Sequence, residues 1–378
     1  MTWLILVVNV VNSVYIRVQF SRMAISELTI SVEQCNVSAV NKVDWDNLPF
    51  GRVFTDHMFI MEYADGKWQE AKIIPFQDIS MHPAMSAIHY GQSIFEGLKA
   101  YKHADGRLSI FRPDMNAKRF NESAMRMCMP EVPEDLFIES IRKLVEVDAA
   151  WVPNKPGFSL YIRPFMFATD TWVGIKPSDT YKFMILLSPV GNYYAEPVRV
   201  KIEPYYTRAA QGGVGRVKAA GNYGASLYPA KQAQDHNFHQ LVWTDAKEHK
   251  YIEESGTMNI VFIIDGVMVT PSEDADTILR GITKRSVIEI AKAWGIPVEE
   301  RKVAVQEIVD AHRNGTLQDA FGAGTAATVA QIVKIGYRDE VLELPPIETR
   351  EISNKIKDHL DGIKAGKVKD EFGWCVKV

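Results

Sequence analysis

Gln211-Gly212-Gly213-Val214-Gly215-Arg216-Val217-Lys218-Ala219-Ala220-Gly221-Asn222-Tyr223-Gly224 holds five glycines in fourteen residues. A run this poor in Cβ atoms either lets backbone approach a bound group closely or simply makes turns. It has neither the G-x-G-x-x-G spacing behind a strand nor the G-x-x-x-x-G-K-[ST] spacing, so it supports neither a dinucleotide fold nor a P-loop. What it does hold is Lys218 between small neighbours. A lysine in a tight, partly dry setting sheds its charge more readily and becomes nucleophilic, as Schiff-base chemistry requires. Spacing alone favours a surface lysine in a glycine loop.

Around that run lies a chain of 378 residues, 47% hydrophobic and 24% charged, which sets an expectation of two domains or at most three. A chain of this length buries a core large enough to fold without disulfides or metal. Lys+Arg number 43 against 47 Asp+Glu, a net charge of -4, which argues against a nucleic-acid binder and leaves no polybasic patch for a membrane. Cys35, Cys128 and Cys375 are too scattered for a disulfide framework, a CxxC redox pair or a zinc site. Isolated thiols fit a reducing cytoplasm. The apolar start, Trp3–Val8, is interrupted by Asn9 and Asn12 and preceded by no basic residue, so it matches neither a membrane span nor a signal peptide. Residues 1–22 are expected outside the folded body, with Met23 as an alternative start, and the protein is expected in the cytoplasm.

Asp56–Tyr63 and Lys72–Phe76 predict strands joined through the turn Ala64-Asp65-Gly66. Phe137, Ile141, Leu144, Val145 and Asp148 follow the helical i, i+4, i+7, i+8, i+11 spacing, predicting a helix over Glu134–Val147. Phe158–Phe167 and Lys182–Leu187 predict strands. Two prolines and a glycine within 188–197 then break the pattern. Beyond the break come strands at Gln240–Thr244, Asn259–Ile264 and Val267–Val269, and a helix at Lys284–Trp294 with Val287, Ile290, Ala291 and Trp294 on one face. The expected organisation is an N-terminal extension over 1–44, a small α/β domain over 45–187, a linker over 188–204 and a large α/β domain over 205–378, with a site in the cleft between the domains.

Three further segments could carry chemistry. Tyr251–Asn259 joins two strand-like runs and includes Glu253 and Glu254, which by default are solvated loop charges. Asp319–Thr328 has the Gly/Thr content of an anion-binding turn, or of a tightly packed small-residue turn. Leu279–Arg285 opens a helix whose free N–H groups and positive dipole end would suit a phosphate.

The order of these segments resembles the branched-chain amino acid aminotransferases, fold type IV pyridoxal-phosphate enzymes. The match runs from about residue 45 to the end and is densest at His89–Gly97 (HYGQSIFEG), Arg112–Met129, Tyr161–Pro164 (YIRP), Gly212–Gly224, Glu253–Asn259 and Gly322–Ala327. The resemblance implies an α/β fold of α+β type, in two domains, like that of D-amino acid aminotransferases. It implies pyridoxal 5′-phosphate as cofactor and transfer of the amino group of leucine, isoleucine or valine to 2-oxoglutarate in two half-reactions. Lys218 matches the lysine that carries the cofactor as a Schiff base and shuttles the substrate Cα proton. Glu254 matches the carboxylate facing the pyridine nitrogen, and Tyr223 the phenol on the ring oxygen. Arg119, the helix-start amides of Ile282 and Thr283, and Thr325 match the phosphate site.

On a strand, Tyr161 and Arg163 share one face. An arginine on an otherwise apolar strand is costly to bury unpaired, so an inter-domain salt bridge is one reading of Arg163. The resemblance instead places both residues at the substrate end. It implies Thr257, Ala326 and Ala327 as the seat of the α-carboxylate, and Tyr90, Phe95 and Tyr161 as the apolar pocket. Such a pocket separates neighbouring aliphatic groups by only about 1–3 kcal/mol, so preference among the three substrates should be mild. Mammalian members carry a CxxC pair where Ala327 and Ala330 stand, so thiol control is not expected. His89 fits structural support. The family also implies a homodimer. No metal, nucleic-acid or membrane partner is expected. The competing activities are those of a D-amino acid aminotransferase or aminodeoxychorismate lyase on the same scaffold, or a catalytically silent scaffold.

Overall fold

In the computed structural model, which describes residues 29–191 and 196–378, the chain builds two ten-stranded sheets with helices packed on them. The first sheet runs, in spatial order, Ile30–Val32, Ala71–Pro75, His57–Ala64, Tyr181–Val190, Ser159–Ala168, Leu98–Lys102, Leu108–Phe111 and Cys375–Lys377. Only the first of these pairs is parallel. Helices Pro113–Arg126 and Glu134–Val147 bury their apolar faces on it, bringing Phe120, Phe137 and Phe183 together with ring centroids 5.3–5.9 Å apart. Aromatic clusters of this kind supply much of a core's burial energy. The helical spacing predicted over 134–147 is the buried face observed, and Asp148 at its end accepts from the His57 backbone and pairs with its ring.

The second sheet runs Val298–Arg301, Val267–Pro271, Asn259–Ile264, Leu317–Gly324, Thr328–Tyr337, Val198–Ile202, Gln240–Thr244, Tyr251–Ser255 and Val303–Ala304. Helices Ile282–Ala293 and Glu351–Lys364 pack against it through Val287, Ile290, Ile356 and Leu360, around Phe321. The mixed α/β architecture expected from the alternation of elements is present.

Three boundary expectations need correction. The extension proposed over 1–44 reaches into the body: Ile30–Val32 pairs with Ala71–Pro75, and Val40 and Val43 pack on the first core. Residues 1–28 lie outside the described residues. Most of the described residues of the proposed linker over 188–204 are strand. Residues 188–190 finish the strand Tyr181–Val190, and Val198–Ile202 sits mid-sheet, parallel to both neighbours. Prolines 189 and 197 suggested a break because proline cannot donate to a ladder, yet Pro189 pairs with Leu160 within the strand and Pro197 only precedes one. Residues 192–195 fall outside the description. Finally, Cys375–Lys377 crosses back to pair with Leu108–Phe111, so the tail closes the first sheet.

Smaller differences follow from the same physics. The turn at Asp65-Gly66, both with positive φ, joins His57–Ala64 directly to Lys67–Trp68, and Ala71–Pro75 then pairs farther along the same strand. Glu253 and Glu254 are no loop charges: they sit on the strand Tyr251–Ser255, 6% and 4% exposed. The helix expected at Lys284 begins at Ile282, capped by Gly281.

Candidate active site

Lys218 lies where the two sheets meet. Its N–H donates to Ser123 Oγ at 3.0 Å and its carbonyl accepts from Phe95 N–H at 3.1 Å, while Ala220 N–H donates to Ser93 O. The glycine-rich segment is thus stitched to the edge of Ser93–Phe95 in the first sheet, with an isolated bridge between Ile94 and Ala219. This excludes the alternative of a lysine in a free surface loop. Lys218 Nζ donates to Tyr223 Oη at 3.0 Å and stands 4.8 Å from the centre of the Phe95 ring. Tyr223 comes one turn later because Gly221–Ala225 is helical, and its ring packs on Phe95 at 4.8 Å.

The lysine opens into a cleft that Arg119, Glu254, Thr257, Ile282, Thr283 and Thr325 also line. One end is built for an anion. Arg119, on helix Pro113–Arg126, forks onto Glu96 (Nε–Oε1 2.7 Å, Nη2–Oε2 2.8 Å) and donates through Nη1 to Arg280 O at 2.9 Å. A guanidinium has five N–H groups, so two remain for a ligand. Glu96 is fully buried; burial raises its carboxyl, but the charge and hydrogen bonds of Arg119, with Lys218 and Asn116, together outweigh that and the net direction is down. Its place among apolar neighbours in Ser93–Gly97 is the sequence signal for a buried partner. Ile282 and Thr283 open helix Ile282–Ala293, where the first N–H groups lack intrahelical partners. Gly281 is required at its cap, because a Cβ there would land on Asn259 Oδ1. The Thr325 hydroxyl donates to Gly97 O at 3.1 Å, so it must rotate to donate into the cleft.

The other end is acidic. Glu254 Oε1 accepts from Leu279 N–H, and Oε2 pairs with Arg208 Nη2 at 3.0 Å. Burial raises the Glu254 carboxyl and Arg208 opposes it, leaving the net direction up. Arg208 also donates to Gly215 O and Thr277 O, tying the carboxylate to the lysine segment. Nothing in its local sequence marked Arg208 for this role, since the pairing is made only by the fold.

Along the wall beside Phe95, the Arg163 guanidinium lies 4.6 Å from that ring's centre and donates to Tyr161 Oη at 2.8 Å. The shared face predicted by strand alternation is therefore real, and among the described residues Arg163 makes no ion pair of the inter-domain kind. Thr257 lines the cleft. Ala326 and Ala327 belong to the turn between Leu317–Gly324 and Thr328–Tyr337, beside Thr325, with Ala326 O accepting from Lys99 Nζ at 2.7 Å. Tyr90 is not brought in: it ends helix Ser86–Tyr90, is 40% exposed, and does not line the cleft. The cleft as built can hold a group with an anion at one end, a basic ring atom at the other, and an amine-reactive carbonyl between them.

The profile of the amino-transferase class IV family matches residues 93–335. Branched-chain-amino-acid aminotransferase 2 of Bacillus subtilis strain 168 is 48% identical over 341 residues, covering 89% of this chain and 94% of its own. The branched-chain-amino-acid aminotransferase of Mycolicibacterium smegmatis is 40% identical over 341 residues, 88% of this chain and 92% of its own. Among solved structures, the Escherichia coli branched-chain amino acid aminotransferase superposes with a TM-score of 0.69 at 25% identity, covering 85% of this chain and 98% of that one. The enzyme of Thermoproteus uzoniensis, solved with norvaline, shares the fold with a TM-score of 0.70 at 24% identity, covering 85% and 99%.

Proposed function

The chain belongs to the class IV aminotransferases, and on that footing we propose how its residues move an amino group from leucine, isoleucine or valine to 2-oxoglutarate. It has the type IV fold, and its relatives favour this activity over a D-amino acid aminotransferase or a lyase. Pyridoxal 5′-phosphate fits the cleft: when bound it supplies an amine-reactive aldehyde and a protonated pyridine that accepts electrons from the substrate's Cα. The two unspent Arg119 N–H groups, the Ile282 and Thr283 amides and the Thr325 hydroxyl would hold its phosphate. The carboxylate of Glu254, steadied by Arg208, would keep the pyridine nitrogen protonated, and the Tyr223 phenol would bond the ring oxygen.

Lys218 Nζ would have two tasks: to hold the cofactor through its aldehyde carbon, and to take the substrate Cα proton and return it. Thr257 and the turn at Ala326 and Ala327 would seat the α-carboxylate. Phe95 and Tyr161 would form the wall for a branched side chain, and Arg163 with Tyr161 Oη would supply the polar partners for the second carboxylate of glutamate or 2-oxoglutarate. The observation that carries this reading is Lys218 Nζ at 3.0 Å from Tyr223 Oη in a cleft shared with Arg119 and Glu254. Exposed Tyr90 and Ile88 (40% and 56%) fit a homodimer, with a second copy covering them; light scattering should give twice the chain mass. No described helix is long and apolar enough to cross a membrane, and the reading is of a cytoplasmic enzyme.

The test is an amino-donor panel with 2-oxoglutarate as acceptor, run on wild type and Lys218→Ala. Leucine, isoleucine and valine should react at comparable rates, and Lys218→Ala should lose at least about 100-fold in turnover with unchanged circular dichroism. Near-normal transamination by Lys218→Ala would show that the lysine is misassigned.

A further inference from the structure

Behind the turn at 325–328 lie two buried lysines that the transfer chemistry does not use. Lys99 and Lys364 are 7% and 3% exposed, and among the described residues neither forms an ion pair. Instead each spends its ammonium on the turn: Lys99 Nζ donates to Ala326 O at 2.7 Å, and Lys364 Nζ donates to Thr328 Oγ1 at 2.8 Å. Burying a cation without a carboxylate is costly, so two of them against one hairpin call for an explanation.

Thr328 supplies it. This residue closes the hairpin opposite Gly324 with φ at 59°, a left-handed conformation that a β-branched residue rarely adopts. Such strain persists only where surrounding contacts over-determine it, and it gathers at ligand-binding turns. Lys364 provides the contact that pins this side chain. Lys99, by holding the Ala326 carbonyl, fixes the plane of the following peptide and turns the Ala327 N–H to the side away from itself. Among the described residues, the N–H groups of Ala326 and Ala327 donate to no protein acceptor.

We propose that Lys99 and Lys364 are positioning residues that hold the strained turn so that the Ala326 and Ala327 N–H groups meet the substrate's carboxylate. The proposal rests on the reading of that turn, with Thr257, as the carboxylate seat. Strain at Thr328 and the lysine grip on it are two halves of one device. The grip keeps the turn in a conformation the sequence alone would leave.

The probe is 4-methylpentanoate, a branched monocarboxylate without an amine, as a competitive inhibitor of the holoenzyme. Lys364→Met and Thr328→Val each break the grip while leaving a β-branched residue at 328, and each should raise its inhibition constant about tenfold. Lys99→Met should do the same. Thr328→Gly also loses the hydroxyl but takes φ at 59° without strain, so it should bind the probe about fivefold more tightly than Thr328→Val, and adding it to Lys364→Met should recover a similar factor. A purely space-filling role would give the reverse order, valine binding better than glycine, and that order overturns the proposal. Should Lys364→Met fail to fold, the valine and glycine variants decide alone. Thr257→Val separates the two readings: if it leaves inhibition unchanged, the seat itself is misplaced, whereas if it weakens inhibition while the lysine and Thr328 variants do not, only the grip is wrong.

Discussion

Arg119 and Glu254 show how a charged side chain in the cleft is held ready by a partner on the far side. The Glu96 fork and the Arg280 carbonyl leave Arg119 two N–H groups for a ligand, and the Arg208 pair opposes the burial that favours the neutral form of Glu254. Removing either charge therefore does two things. Arg119→Ala would loosen the phosphate and also strand a fully buried carboxylate, costing about 3–5 kcal/mol of stability. Arg119→Lys keeps the charge but loses the fork, so cofactor should leave on dialysis with a smaller drop in melting temperature than in the alanine variant. Equal drops would argue against the fork. Glu254→Gln should lower kcat about 100-fold with little change in KM, as expected for a charge that acts mainly in the transition state; a KM effect alone would place Glu254 in substrate binding instead.

At the scale of elements, a strand and a helix set the anion end. Asn259 begins the strand Asn259–Ile264, donates to Leu279 O at 2.9 Å, and leaves no room for a side chain at Gly281, the cap of helix Ile282–Ala293. Gly281→Ala should push the first helical turn away and weaken pyridoxal 5′-phosphate binding to the apoenzyme about tenfold, read by fluorescence titration. Unchanged affinity would mean that the helix start does not carry the phosphate. The helix start itself was legible, since Leu279–Arg285 predicts one, and so was the strand that carries Tyr161 and Arg163. The partners Glu96 and Arg208 were not, because each meets its mate across more than twenty residues of sequence, and local patterns hold no information about such pairs.

Across the whole molecule, the buried lysines make stability depend on pH. Burial and the Lys364 charge, partly offset by Asp361, push Lys99 from an ordinary 10.5 down to about 7. Between those values the unfolded chain holds a proton that the folded chain has released, so stability rises with pH across that window; below about 7 the full cost of burying the charge remains. The urea midpoint of wild type should thus climb from about pH 7 towards pH 9, and Lys99→Met should flatten the climb. Identical slopes would show that Lys99 keeps its ordinary proton affinity. The same fold brings Ile30–Val32 and Cys375–Lys377 into one sheet, which no boundary signal in the sequence foretold.

From the sequence by itself come most of the element types, the likeness to the family and, through that likeness, the expectation of the lysine, its phenol five residues on and the carboxylate at 254. These are local spacings and ordered motifs, and each is written within a few residues. The tertiary structure alone decided which strands are neighbours, that the carboxylates at 253 and 254 are buried, and which second charges hold the first ones in place. It also decided that two lysines grip a strained turn. Contacts of that kind form only once two sheets close on each other, because desolvation is what makes an unpaired charge costly and a partner necessary.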